Sequence, residues 1–190
     1  MKTGRLEAFS DGVLAIIITI MVLQMRLPVG SNFEALYSTL PTFMNYLGSF
    51  IYVGIYWNNH HHLFQATNKV SGQVLWSNLN LLFWLSLLPF ATAWMGENNF
   101  EKQPVAFYGF ILLMVAIAYK ILTYFIVKSE GKQSKISKAI GRDYKGTVSI
   151  LLYVLAIGVS FLLPLLSNIV YFMVALVWLI PDKRIVKSLN

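Results

Sequence analysis

The chain has no cysteine in its 190 residues. Disulfides and thiolate metal sites are therefore excluded, and cysteine usage says nothing about the redox compartment. Charge is also scarce, at 12% of residues, where soluble domains carry about 25%. There are eight acidic residues and three histidines, the latter adjacent at His60-His61-His62. An enzyme needs a nucleophile or a paired acid and base within reach. Asp11 with the histidines is the one candidate set, with no second carboxylate beside it, so no catalytic role and no cofactor are expected. A metal site on the histidines is disfavoured as well. Successive helix residues point about 100° apart, so one helix cannot present all three to one ion. The position four after His60 is Phe64.

What the chain has instead is apolar surface. Hydrophobic residues make up 57% of it, and its mean hydropathy is +0.62. The composition predicts an all-α integral membrane protein, with the lipid bilayer as its surroundings. A net charge of +7 is no sign of nucleic acid here, because the basic residues cluster between apolar runs. A crossing needs about 20 mostly apolar residues, and six such stretches are expected. They run from Ala8 to Leu27, Leu40 to Leu63, Val74 to Met95, Val105 to Val127, Thr147 to Leu163 and Ser167 to Ile180, the last ended by Pro181. The last two are joined so closely that they also read as one helix broken at Pro164. The first has basic residues ahead of it but no small-residue cleavage site after it, and Asp11 sits at its start. It is therefore expected to be retained rather than removed as a leader. Residues 1–190 form a single six-helix domain on this reading.

Basic residues set the orientation. With the N-terminus inside, the inner segments carry Lys2, Arg5, Lys69, Lys128, Lys132, Lys135, Lys138, Arg142, Lys145, Lys183, Arg184 and Lys187, which is 12 of the 15. Arg26 and Lys102 fall outside, and Lys120 lies within the fourth stretch, where its stem can snorkel. Both termini are expected to be cytoplasmic, with the 128–145 stretch a solvated loop facing anionic lipid.

Three polar clusters then share the inner side: Arg5, Ser10 and Asp11; Trp57-Asn58-Asn59 with the histidines; and Trp76-Ser77-Asn78-Leu79-Asn80. Each is costly alone in a low-dielectric setting, and together they can satisfy one another. Arg5 and Asp11 lie about 9 Å apart along a helix axis, so their partners must come from other helices. Asp11 is expected to accept from a histidine ring and an asparagine amide, and Arg5 to pair with Asp11 or a carbonyl. Beyond Asp11, Ile16, Thr19, Ile20 and Leu23 share one helix face. Such a face suits a narrow apolar pore built from several copies, and it equally suits a packed span.

The motif Arg5-x-x-x-Phe9-Ser10-Asp11 resembles the signature of the transmembrane protein 175 family of potassium channels, found in lysosomes and in prokaryotes. Trp57 followed by His60-His61, and Leu87-Leu88-Pro89-Phe90 with Thr92, resemble its second- and third-helix patterns. The resemblance covers nearly the whole chain, and the length is similar to that of prokaryotic members with one six-helix unit. It implies a homotetramer in a prokaryotic cell membrane, with the first helix of each subunit lining a central pore for K+ and other monovalent cations. It implies a constriction at Ile16, a polar layer at Thr19 and apolar layers at Ile20 and Leu23. Arg5, Phe9, Ser10 and Asp11 would serve packing and assembly, with Trp57, His60, Asn78 and Asn80 completing the network. His60 is preferred over its neighbours by its spacing from Trp57. No Thr-Val-Gly-Tyr-Gly filter string is present. A secondary ion transporter is the alternative. Transporters are often built from broken helices and inverted repeats; here Pro41 stands at the very start of its stretch, Pro89 is the only proline in the interior of one, and no repeat is visible.

Overall fold

The structure, a computed structural model, describes residues 3–131, 133–140 and 143–180. Lys2, Lys132, Arg142, Pro181, Lys183, Arg184 and Lys187 lie outside them, as do both termini. Among the described residues every regular element is a helix: α1 (Thr3–Leu23), α2 (Phe33–Ser38), α3 (Leu40–Gln65), α4 (Gly72–Ser86), α5 (Leu88–Glu97), α6 (Lys102–Glu130), α7 (Lys135–Ile140), α8 (Tyr144–Ser160) and α9 (Pro164–Leu179). Three units are long and apolar enough to cross a membrane: α1, the run Gly72–Glu97 and α6. The helices α8 and α9 are apolar but shorter.

The expected third stretch is two helices. Pro89 has no N–H to offer the carbonyl of Leu85 and sits in the first turn of α5, a position that suits proline at a helix start. The ladder tightens there, with Leu87 N–H meeting Trp84 O at 3.2 Å, and resumes as Ala91 N–H meets Leu87 O at 3.1 Å. The chain near Pro164 resolves the other way. α8 and α9 are separate helices that fold back on each other as a hairpin. Ser167 Oγ donates to Ala156 O at 2.7 Å, and Trp178 Nε1 donates to Ser149 Oγ at 2.8 Å. The lysine-rich stretch is not wholly a loop, since it contains α7, where Ile136 is buried. Two further features complete the local order. Asn32 caps α2 through Ala35 N–H at 3.0 Å, and Ser71 caps α4 through Val74 N–H at 3.3 Å, each side-chain oxygen satisfying an orphan donor.

Cross-links fix how the helices run. The pairs 7–61 and 11–57 make α1 and α3 antiparallel, while 49–108 and 59–119 make α3 and α6 parallel. The long helix α6 lies against α4, α5, α8 and α9. Among its buried positions Val105, Tyr108, Ile111, Val115, Ala118, Leu122 and Ile126 recur every three or four residues, the spacing of one face. At its far end Glu130 Oε1 accepts the backbone N–H groups of Asn68 and Lys69 at 2.6 and 2.7 Å, which ties α6 to the α3–α4 connection.

The core is not purely aliphatic. Tyr52 donates to Tyr171 O, Ser49 and Tyr108 share a hydrogen bond of 3.0 Å, Thr92 Oγ1 donates to Ser49 Oγ at 2.8 Å, and Asn45 Nδ2 donates to Thr92 O at 2.6 Å. These buried hydroxyls and the amide are satisfied by one another, as a low-dielectric interior requires. Gly109 is the closest approach in this region. A Cβ there would stand 1.9 Å from Tyr171 Oη.

Candidate functional site: the two faces of the first helix

The sequence of α1 divides it lengthwise. Leu6, Ser10, Leu14, Ile17 and Met21 are buried. Their spacing of four, four, three and four residues makes a single seam, turned toward α3, α4 and α5. The other side is largely uncovered among the described residues. Phe9 is 52% exposed, Ile16 59%, Ile20 42% and Leu23 75%. Thr19 is exposed too, and its hydroxyl donates back to Ala15 O at 2.9 Å. A helix hydrophobic all round is at home only where both sides meet protein or lipid. The chain itself covers one side of α1 and leaves the face of Ile16, Thr19, Ile20 and Leu23 open.

The seam begins with polar groups. Ser10 and Asn78 are wholly buried and His60 nearly so. Ser10 Oγ donates to Leu6 O at 2.9 Å, Asn78 Nδ2 donates to Ser10 Oγ at 2.9 Å, and His60 Nε2 lies 2.8 Å from Asn78 Oδ1. These contacts have one consistent direction. Asn78 spends its NH2 on Ser10, so its oxygen is an acceptor, and His60 must carry its proton on Nε2. The result is a chain of donors, His60 to Asn78 to Ser10 to the Leu6 carbonyl, that pins α1 to α3 and α4. His60 Nδ1 is buried without a hydrogen-bond partner.

Around this chain lie two contacts between α1 and α3. Trp57 Nε1 donates to Asp11 Oδ1 at 3.0 Å on the exposed side. His61 Nδ1 is 2.6 Å from Glu7 Oε1 and half-buried. The rings of Trp57 and His61 stack, with centroids 6.4 Å apart and planes inclined by 24°.

The expected partners are therefore rearranged. Asp11 takes the indole of Trp57 rather than a histidine and an asparagine. Arg5 makes no salt bridge with Asp11 among the described residues; it is exposed at the start of α1. A separation of six positions is too long a step along one helix, and Asp11 turns toward α3. Asn80 is half-buried and faces a surface recess beside Trp76, Ile121 and Phe125, away from the His60–Asn78–Ser10 chain. Phe9 lies on the open face. Glu7 is the carboxylate that the sequence argument passed over. Its signal was available: Glu7 and Asp11 are four apart, as are Trp57 and His61, so antiparallel helices match them pair for pair. Among the described residues no group of three His, Asp or Glu side chains is placed to hold a metal ion.

Comparison with known proteins identifies the family. Residues 5–89, which include the His60–Asn78–Ser10 chain, match the model of the family "Endosomal/lysosomal potassium channel TMEM175". A potassium channel of a Chryseobacterium species is 59% identical over 190 residues, covering 100% of this chain and 99% of its own length. The human endosomal/lysosomal proton channel TMEM175 is 36% identical over 116 residues, or 55% of this chain and 23% of that protein. Among solved structures, the crystal structure of a lysosomal potassium-selective channel TMEM175 homolog from Chamaesiphon minutus aligns with a TM-score of 0.80 at 28% identity, covering 98% of this chain and 97% of that one. The chain is a multi-pass membrane protein of the TMEM175 family.

Proposed function

We propose that the protein is a potassium-permeable cation channel of the prokaryotic cell membrane, and that four copies assemble with α1 of each around a central pore. One observation carries this reading. On α1 the seam residues Leu14, Ile17 and Met21 are buried within the chain, while Ile16, Thr19, Ile20 and Leu23 stand open on the other side. The 59% identity to a potassium channel along the full chain supports the same ion.

In this reading α1, α3, the α4–α5 unit, α6, α8 and α9 are the six crossings. Arg5, Lys69, Lys128, Lys138 and Lys145 belong to the end of the bundle where α1 starts, and Arg26 and Lys102 to the other. The starting end is therefore cytoplasmic. Ile16 is the constriction, where a ring of four apolar side chains gates by excluding water. Thr19 adds a polar layer beyond it, and Ile20 and Leu23 continue the lining outward. The open face of α1 belongs to a regular helix whose carbonyls are engaged within it, and the chain has no Thr-Val-Gly-Tyr-Gly string, so on this reading discrimination rests on partial dehydration in a narrow throat. Ser10 and Asp11, with Trp57, His60 and Asn78, hold the inner half of α1 in register, and Arg5 and Phe9, exposed in the single subunit, serve packing between subunits rather than touch the ion. Asn80 lies outside that set.

The test is the assembly state of the purified protein in lipid, together with K+ flux into liposomes. A tetramer that passes K+ passively down its gradient is expected; a monomer overturns the pore. The break at Leu87 favours one competing reading, a secondary transporter, since discontinuous helices mark ion sites in that class. Flux that saturates with K+ and depends on a second ion would select it.

A further inference from the structure

At the end of α1 opposite the His60–Asn78–Ser10 chain, a second contact joins α1's exit to α5. Arg26 Nε donates to Glu97 Oε1 at 3.0 Å, and the two side chains are 79% and 39% exposed. An ion pair this exposed adds little to fold stability. Its position matters more. Arg26 follows Leu23, the last residue of the open α1 face, by three residues, so its charge stands where that face ends. The pair sits in a recess walled by Gln24, Leu27, Thr42, Gly96 and Asn99. Glu34, Glu101 and Lys102 are the other charges of this end, and none of them is within salt-bridge distance of Arg26 or Glu97 among the described residues.

We propose that Glu97 is a determinant of cation entry: it cancels Arg26 at the outer mouth, so that an arriving cation meets no ring of fixed positive charge. The proposal rests on the channel reading with α1 around the axis. On a ring of assumed radius about 10 Å, four uncancelled guanidinium groups in water, screened over about 8 Å at physiological salt, would lower cation occupancy of the mouth about twofold. At about 0.01 M salt the screening length grows to about 30 Å and the same ring lowers occupancy about sevenfold. Removal of Arg26 has the opposite sign, because it leaves four unopposed carboxylates that gather cations.

The experiment is inward K+ current through purified wild type, Glu97→Gln, Arg26→Gln and the double variant in planar bilayers, at both salt concentrations. Glu97→Gln should lower inward current by these factors, Arg26→Gln should raise it, and the double variant should return to the wild-type value. A wild type that conducts while all three variants conduct like it overturns the proposal and leaves the channel reading standing. Equal losses in both single variants, not recovered in the double, also overturn it and make the pair a packing clasp. A wild-type tetramer without K+ current overturns the channel reading and this proposal together.

Discussion

Asparagine at position 16 and asparagine at position 17 should have opposite consequences, although the two sites are neighbours. Consecutive helix residues point about 100° apart, and on α1 that angle separates 59% exposure at Ile16 from 2% at Ile17. At Ile17 the substitution removes aliphatic contacts with the seam and buries an amide without partners. Lost packing of about 2 kcal/mol or more and an unsatisfied polar group of about 1–3 kcal/mol together give about 3–5 kcal/mol. Ile17→Asn should therefore melt earlier in detergent and yield less tetramer. At Ile16 no packing within the subunit is lost, and the stability change should stay within about 0.5 kcal/mol, as for surface sites. The effect there is on water. In the proposed tetramer four amides would hydrate the ring that isoleucine is proposed to keep dry, so resting K+ conductance should rise, and preference for K+ over Na+ should fall because less dehydration is demanded. Single-channel recordings and liposome flux, both normalised to tetramer, measure this. Were Ile17→Asn to raise conductance while Ile16→Asn did not, the face assigned to the pore would be wrong.

Three further tests address the contacts of α1 and the interior packing. Asn78→Leu deprives His60 Nε2 and Ser10 of their shared partner, leaving both ring nitrogens of His60 unbonded; a loss of about 2–4 kcal/mol is expected by thermal melting, and an unchanged melting point would refute the donor chain. Gly109→Ala sets a methyl 1.9 Å from Tyr171 Oη and 2.5 Å from its Cζ; about 3 kcal/mol should be lost, partly recovered with Tyr171→Phe because only the hydroxyl clash is relieved, and equal melting of the single and double variants would count against the close approach. Asp11→Ala should cost about 1 kcal/mol, the worth of one hydrogen bond, and so should Trp57→Phe; the double variant should be no worse than either, and additive losses in a double-mutant cycle would show that the pair does not act as a unit.

The apolar stretches, their order and their approximate bounds were legible from hydropathy, because lipid permits few alternatives to a helix. The face of Ile16, Thr19, Ile20 and Leu23 was legible from period 3.6. Periodicity alone did not tell an open face from a packed one; the burial of Ile17 and Met21 does. Pairings across helices were harder. Ser10, His60 and Asn78 belonged to clusters that the motif marked, yet the sequence held no information on which atoms would meet. Asp11 was matched to histidine by chemistry and instead meets Trp57, since the antiparallel register of α1 and α3 sets 11 opposite 57 and 7 opposite 61. The interior tyrosines left no local signal. Tyr52 and Tyr171 are separated by 119 residues, and in a chain with ten tyrosines composition does not single them out. The break at Leu87 was visible as Pro89, but a proline inside an apolar run fits a kink as well as an interruption.

On the proposed six-crossing reading, the α8–α9 hairpin bears on the lipid. At 1.5 Å per residue, the 17 residues of α8 and the 16 of α9 reach about 26 and 24 Å, short of a hydrocarbon core of about 30 Å. The 29 residues of α6 reach about 44 Å and overshoot it. One flank of the subunit therefore meets a membrane thicker than itself while its neighbour meets one thinner. Acyl chains beside α8 and α9 must compress or the helices must stand nearly upright, whereas α6 has length to spare for tilt. Hydrophobic mismatch thus falls unevenly around each subunit. Lipids of shorter acyl chain should gather along the hairpin, and bilayer thickness becomes a variable to which the hairpin side responds first.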